Sequence, residues 1–290
     1  MTVALNQGNC RERILRSLGG LPPFSPTLNR VMASLAHEDV SFSALSDLIE
    51  KDTVLAGNIL KVVNSALYGR RGEINSVRHA VALLGVNKLR NTVLGMSISR
   101  MWARVKTPGG WSSKNFNMHS VAVAVLSDLL AQRTGVRYPE GAFIAGLLHD
   151  IGRLLIAIGI SEEYGEIMAL YATNTRSLCD CEREVLGFDH AEISSLALAA
   201  WNLPEPIQVA VRFHHQPDDD PTEADNRVTK LSRVIYAVDN FVNHSGNFIQ
   251  PKSAEFEEVS QEPFISLAGD AAEPILRDFE TEYEAIRKFF

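Results

Sequence analysis

The stretch FIAGLLHDIGRLL, residues 143–155, has apolar residues at helical spacing and places His149 and Asp150 side by side among them. This composition predicts a buried helix. Burying a carboxylate beside an imidazole is costly unless both groups are paired or bind a cation. Taken alone, the dipeptide is best explained by a hydrogen-bonded His–Asp pair in a protein core.

Other histidines and aspartates recur at helical positions in the same half of the sequence. His119 lies on its own helix, His190 in the first turn of another, His214 and His215 at the end of a fourth, and Asp239 on a fifth. Five helices with short connections can converge in a bundle, whose core is where helix-borne metal sites form. Imidazole and carboxylate ligands together suit iron, manganese, zinc or nickel. The sequence therefore predicts one or two divalent transition metals, held by His119, His149, Asp150, His190, His214, His215 and Asp239.

Helical periodicity dominates the chain and predicts an all-α protein. In LSRVIYAVDNFVNHSG, residues 231–246, apolar residues fall at i, i+3, i+4 and i+7. Asp189, with Glu192 three residues later, is typical of a capping box at a helix start. Residues 77–102 are predicted as one helix capped by Ser76, and residues 139–159 as one helix that begins at Pro139.

A Pro-Gly-Gly cluster followed by serines interrupts this pattern in KTPGGWSSKN, residues 106–115. Such a cluster indicates a loop or linker. The predicted organisation is an N-terminal helical subdomain (1–105), a linker (106–118), a metal-binding helical subdomain (119–250), and a C-terminal tail and helix (251–290).

The composition excludes several classes of protein. A net charge of −7 makes the chain a poor partner for nucleic acids. No signal peptide and no uninterrupted apolar run of about 18 residues is found, so we expect no membrane association and a cytoplasmic location. The three cysteines, Cys10, Cys179 and Cys181, do not make a disulfide framework and are predicted to be reduced thiols.

The order His119, His149-Asp150, Asp239 resembles the H…HD…D signature of the HD superfamily of metal-dependent phosphohydrolases. His190 and His214-His215 match the extended ligand pattern of its HD-GYP branch, which binds two or three metals and hydrolyses cyclic di-GMP.

The first half of the chain specifies the subfamily. LPPFSPTLNRVMASL (21–35), LSDLIEKDTVLAGNILKVVNSALYG (45–69) and INSVRHAVALLGVNKLRN (74–91) are similar to the HDOD domain, as is GFDHAEISSLALAAWNLPEPIQVAVRFHHQP (187–217). The resemblance extends over residues 15–245. It implies two helical subdomains, of which the C-terminal one is an HD-superfamily helical bundle, and a role as a signalling output in bacteria.

The sequence departs from the HD-GYP pattern at three places. Arg153 stands where those enzymes have a lysine after the HD pair; an arginine keeps the charge and can bind a phosphate through two nitrogens. No Gly-Tyr-Pro segment follows His214-His215, and Asn115 replaces a glutamate that some of these enzymes place before the first histidine. These departures weaken the case for a third metal and for cyclic di-GMP hydrolysis.

In a filled site, two divalent metals about 3.5–4 Å apart would lower the pKa of a shared water toward neutrality. Asp150 would bridge the two metals. His119, His149 and Asp239 would complete one metal, and His190, His214 and His215 would surround the other. In an enzyme, Asp150 and Arg153 would be catalytic, with Arg153 stabilising charge on a phosphoryl oxygen of a phosphodiester or phosphomonoester.

Three hypotheses remain open. The HDOD-like first half and the missing Gly-Tyr-Pro favour a regulatory module that acts through contacts with a kinase, a response regulator or a cyclic-dinucleotide protein. The intact ligand set with Arg153 favours a metal-dependent phosphohydrolase. In the third, the histidines are hydrogen-bonded core residues and no metal binds.

Overall fold

The computed structural model describes residues 2–22, 24–33, 42–64, 74–173, 176–223, 228–246, 249 and 260–287; of residues 2–8 and 44 it describes the backbone alone. Within these ranges the protein is all-α, as the sequence predicts, and its β-structure is one isolated bridge between Val136 and Thr229. The first half contains helices α1 (Thr2–Ser17), α2 (Pro26–Ala33), α3 (Phe42–Glu50), α4 (Thr53–Val63), α5 (Val77–Leu84) and α6 (Val86–Trp102).

The second half begins with α7, whose first residue, Ser113, falls inside the segment predicted as a linker. Its helices are α7 (Ser113–Arg133), α8 (Ala142–Leu148), α9 (Ile151–Gly159), α10 (Ser161–Thr173), α11 (Leu178–Leu186), α12 (His190–Ala200), α13 (Glu205–Arg212), α14 (Leu231–His244), α15 (Glu262–Ala268) and α16 (Ala272–Ile286).

Helices α2 to α6 pack on one another in the first half, with α6 against α2, α3, α4 and α5. Ser76 caps α5, as predicted, by accepting a hydrogen bond from the backbone N–H of His79 at 3.2 Å. The prediction of one helix over residues 77–102 is wrong, because Gly85 has a positive φ of 79° and separates α5 from α6. Glycine adopts this left-handed backbone without steric cost, so the chain can turn there.

Helix α8 lies at the centre of the second half, packed against α6, α7, α13 and α14. A Cβ atom at Gly146 would lie 2.9 Å from the Cα of Ala124, so the glycine allows α7 and α8 to approach closely. By length and apolar composition, Pro139–Gly159 is the one stretch among the described residues that could cross a membrane. Because 89% of its apolar window is buried inside the protein, it has the surroundings of a core helix.

The first and last helices both pack on the second half. Helix α1 lies against α9 and α12, and a Cβ atom at Gly159 would lie 2.9 Å from the Cα of Ile14. Helix α16 lies against α7, where the Tyr283 hydroxyl donates to the carbonyl of Met118 at 3.1 Å. The division into subdomains at residues 105 and 119 stays a prediction.

The stability of the protein should depend on pH through Asp128, which lies on α7 near Glu282 of α16. Burial, together with the nearby Glu282, raises the pKa of Asp128 on α7 from 3.8 to about 6. The folded protein then binds this proton more tightly than the unfolded chain does, so stability falls as the pH rises from about 4 to about 6. We expect Asp128→Asn to remove this slope and to raise the free energy of unfolding near pH 7 by on the order of 1 kcal/mol.

Urea unfolding at several pH values would measure the effect, with a change at the exposed Asp270 to asparagine as the control. Parallel stability curves for wild type and Asp128→Asn would contradict it.

Candidate metal centre

The dipeptide His149-Asp150 lies in the turn between α8 and α9, so the prediction of one continuous helix over residues 139–159 is wrong. The Nδ1 atom of His149 lies 2.8 Å from the carbonyl oxygen of Gly146. In an uninterrupted helix that carbonyl would accept the backbone N–H of Asp150. The imidazole N–H of His149 therefore binds the carbonyl that the backbone N–H of Asp150 would otherwise use, and the helix ends at this point.

The same contact determines which ring nitrogen of His149 carries the proton. A carbonyl oxygen can only accept a hydrogen bond, so Nδ1 of His149 must donate and Nε2 keeps its lone pair in the neutral ring. His214 repeats this arrangement, with its Nδ1 atom 2.7 Å from the carbonyl oxygen of Val211. In their neutral forms, both histidines thus direct the lone pair of Nε2 toward the interior of the bundle.

The first group of donor atoms surrounds one carboxylate oxygen of Asp150. The Nε2 atom of His119 lies 3.1 Å from Oδ1 of Asp239, 3.3 Å from Nε2 of His149 and 3.9 Å from Oδ2 of Asp150. The Nε2 atom of His149 lies 3.5 Å from Oδ2 of Asp150 and 3.6 Å from Oδ1 of Asp239. We call these four residues the first subsite.

The second group of donor atoms surrounds the other carboxylate oxygen. Oδ1 of Asp150 lies 3.0 Å from Nε2 of His190 and 3.7 Å from Nε2 of His214, and the Nε2 atoms of His190 and His215 are 2.9 Å apart. The donor atoms of all four residues lie within 4.8 Å of one another. We call Asp150, His190, His214 and His215 the second subsite.

The pair His214-His215 lies in a turn after α13, which ends at Arg212, so the prediction that both residues end a helix is wrong. Successive residues on a helix point about 100° apart, which would separate the two rings. In the turn their ring centroids are 3.9 Å apart, and both rings belong to the second subsite.

These distances fit a metal ion. For metal–ligand bonds of about 2.1 Å, neighbouring donor atoms are about 3.0 Å apart in an octahedron and about 3.4 Å apart in a tetrahedron. Oδ1 of Asp150 and Nε2 of His214 are buried and make no hydrogen bond. Such atoms are costly in a protein core, and a cation between them would satisfy both.

The two aspartates of the cluster are ionised. Burial alone would raise the pKa of Asp150, but the surrounding charges, that of His149 first, hold it well below its ordinary value. Burial is likewise outweighed at Asp239, whose pKa is held well below its ordinary value by hydrogen bonds from His119 and His149.

The histidines divide into two kinds. Burial lowers the pKa of His214, and burial together with the adjacent His214 lowers that of His215 well below its ordinary value. At His149 and His190 the neighbouring carboxylates outweigh burial and raise the pKa. Since metal ligands must be deprotonated, a bound cation would take the place of a proton on Nε2 of these two rings.

Two polar side chains that the sequence did not single out contact the cluster. Asn243, one helical turn after Asp239 on α14, donates from Nδ2 to Oδ1 of Asp239 at 2.9 Å. Glu182 on α11 is 2% exposed, and its Oε2 atom lies 2.7 Å from Nδ1 of His190. The i, i+4 spacing of Asn243 and Asp239 is a signal that the sequence carries. Glu182 lies on a different helix from His190, so no helical spacing connects them.

Asp189 caps α12 by accepting from the N–H of Glu192 at 3.0 Å, as predicted, which places His190 at the first position of the helix. The carboxylate of Glu192 itself pairs with Arg11 of α1 and with Arg212 of α13. The start of α12 is therefore held by α1 and α13 as well as by its own cap.

Gly152 allows α9 to lie against the start of α12. Its N–H donates to the hydroxyl of Ser194 at 2.8 Å, and a Cβ atom in its place would lie 2.1 Å from the carbonyl oxygen of His190. The glycine after the HD pair therefore determines how closely His190 approaches Asp150.

A cavity of about 280 Å³ opens beside the cluster, lined by Asp150, His190, His215 and Asp239 of the cluster and by Arg153. The Nη1 atom of Arg153 donates to Oδ2 of Asp150 at 3.0 Å. Tyr171, Ser177, Cys179 and Arg183 line the remaining part with other residues. The three cysteines are free and buried.

The described helices thus form an all-α bundle that gathers two sets of donor atoms around one carboxylate. The chain belongs to the HDOD family, since the HDOD domain matches its residues 21–217.

Two curated proteins share part of the sequence. An uncharacterized protein of Treponema pallidum is 25% identical over 70% of this chain, and the uncharacterized protein YuxH of Bacillus subtilis is 28% identical over 43%. The matches cover 39% and 30% of those proteins, so the chain spans well under half the length of the relatives it matches.

Solved structures share the fold along almost the whole chain. An HDOD domain protein of unknown function from Geobacter sulfurreducens is 22% identical with a TM-score of 0.75, over 98% of this chain and 99% of the other. A proposed phosphohydrolase from Shewanella amazonensis is 24% identical with a TM-score of 0.72, over 96% and 97%. At these identities the likeness concerns the fold alone.

We expect Gly152→Ala to push α12 away from α9, because its methyl group would overlap the carbonyl of His190. The predicted cost is about 1–3 kcal/mol in the free energy of unfolding, with lower metal affinity at the second subsite. Urea unfolding and metal titration would measure the two effects.

Gly165→Ala is the matched control, because Gly165 lies in α10 and the position that a Cβ atom would take there has no atom within 4 Å. This variant should gain about 0.5–1 kcal/mol in stability. Equal stability and metal affinity in the two variants would be inconsistent with this role of Gly152.

Proposed function

We propose that this chain is an HDOD-family signalling protein that binds two divalent transition-metal ions and acts through contacts with a partner protein. The observation that carries the metal proposal is the shared carboxylate: each oxygen of Asp150 faces its own set of imidazole donors. A single hydrogen-bonded His–Asp pair does not need a second set. His119, His149 and Asp239 would complete the first subsite, and His190, His214 and His215 the second.

Mixed nitrogen and oxygen donors favour iron, manganese, zinc or nickel over magnesium or calcium. Bound there, such ions would supply Lewis acidity and lower the pKa of a coordinated water. The protein's own contribution is to hold the lone pairs of His149 and His214 toward the ions through their backbone acceptors, and to keep Asp150 ionised.

A signalling role rests on membership of the HDOD family, with a kinase, a response regulator or a cyclic-dinucleotide protein as the partner. The net charge of −7 disfavours nucleic acid as that partner, and we propose a cytoplasmic location.

A second function, phosphoester hydrolysis, is favoured by one observation. The cavity beside the cluster gives access to Asp150 and holds Arg153 at its edge. Arg153 would orient a phosphoryl oxygen and stabilise the negative charge that develops on it.

The two-metal site can be tested by its metal content. Protein purified without chelator or a metal-affinity tag should contain up to two equivalents of iron, manganese, zinc or nickel by ICP-MS. The double variant His149→Ala/Asp150→Ala should lose them, because it removes a donor from both subsites. Wild-type protein that holds no such metal, even after reconstitution, would refute the two-metal site.

Phosphoesterase activity distinguishes the two functions. If the centre is hydrolytic, metal-loaded protein should cleave bis(p-nitrophenyl) phosphate with turnover, and His149→Ala should abolish it. Arg153→Ala should lower kcat by about 10²-fold or more, with Arg153→Lys less affected because it keeps the charge. If the protein binds two ions but turns over neither phosphodiesters nor phosphomonoesters, the hydrolytic function is excluded and the regulatory function remains.

A further inference from the structure

Glu182 makes two contacts with His190 through a single carboxylate oxygen. Its Oε2 atom accepts the backbone N–H of His190 at 2.8 Å and lies 2.7 Å from Nδ1 of the same residue. The glutamate is 2% exposed and comes from α11, whereas His190 begins α12. A buried carboxylate is costly, so its retention here calls for a specific partner.

His190 needs an acceptor from another helix because of its position. His149 and His214 each follow a helical turn, and the carbonyl three residues earlier accepts their Nδ1 proton. His190 is the first residue of its helix, after Asp189 in an extended conformation, so no preceding turn offers such a carbonyl. Glu182 supplies the acceptor that the backbone cannot.

The contact determines the chemistry of the ring. The Oε2 atom that accepts the backbone N–H also accepts the Nδ1 proton at 2.7 Å, which leaves the Nε2 lone pair of the neutral ring for the second subsite. Nε2 is the atom that lies 3.0 Å from Asp150 and 2.9 Å from His215. Unlike a carbonyl, the carboxylate also carries a full charge, which makes the imidazole a stronger donor to a cation.

Cys179, on the same helix as Glu182, also approaches His190: its Sγ atom lies 4.0 Å from Nδ1 of that ring. A thiol sulfur is a weak acceptor and carries no charge, since burial raises the pKa of Cys179. Cys179 therefore does not replace Glu182.

We propose that Glu182 is the positioning residue of the second subsite: its charged carboxylate orients His190, selects Nε2 as the metal donor and sets the affinity of that subsite for a divalent ion. This inference rests on the two-ion site proposed above and adds to it the residue that makes the two subsites different.

The test is equilibrium dialysis of the full chain against Zn²⁺, with bound metal counted by ICP-MS. Glu182→Gln keeps the shape of the side chain but removes its charge. We expect one of the two equivalents to bind about 10–100-fold more weakly, while the other stays close to wild type. Glu184→Gln is the matched control, because Glu184 lies on the same helix but is exposed and pairs with Arg176; it should bind both equivalents as wild type does.

A purely structural role for Glu182, as a cap of α12, predicts a different pattern. The variant would then lose stability in urea and would weaken both subsites or neither. Equal weakening of both subsites in Glu182→Gln would overturn the proposal, and so would wild-type affinity at both. Wild-type protein that binds no Zn²⁺ would instead refute the two-metal site, and this inference with it.

Discussion

The carboxylate of Asp150 is the group on which the arrangement of the second half depends. It is 3% exposed and ionised, and a carboxylate in that position is tolerated only where cations or hydrogen-bond donors surround it. The imidazoles around it come from helices widely separated along the chain, His119 from α7 and His190 from α12, and Asp239, which contacts His119, comes from α14. The close approach of α9 to α12 at Gly152, and of α7 to α8 at Gly146, brings these helices within reach of one another.

Helix ends, rather than helix interiors, provide the donors on which the site depends most. At His149 and at His214 the ring takes a backbone carbonyl that a continuing helix would have used, and the helix ends. The hydrogen bond lost from the helix is replaced by one from the ring, so the backbone acceptor stays satisfied. As a result, the tautomer of each histidine is set by a hydrogen bond to a carbonyl three residues earlier in the chain, without any contribution from distant residues.

The sequence was sufficient to predict which residues lie together in the cluster, but not the local backbone geometry around them. The apolar neighbours of His149, the cap at Asp189 and the periodicity around Asp239 were sufficient to predict an all-α fold and to group the seven residues. Helical periodicity continues straight through residues 148–151, so it could not reveal that the ring of His149 ends a helix. Glu182 could not be predicted for a different reason: its contact with His190 depends on how α11 and α12 pack, which no spacing along the chain encodes.

The alternative in which the histidines are hydrogen-bonded core residues must account for the second subsite. Nδ1 of His190 already contacts Glu182, and its Nε2 atom faces both Asp150 and His215. Without a cation, those contacts require a second proton on a fully buried ring, and Nε2 of His214 is still left without a hydrogen bond. Replacing such a cluster by apolar residues of similar volume is commonly neutral or stabilising. A core built for stability alone gains little from these donors, whereas the proposed metal ions would use each of them.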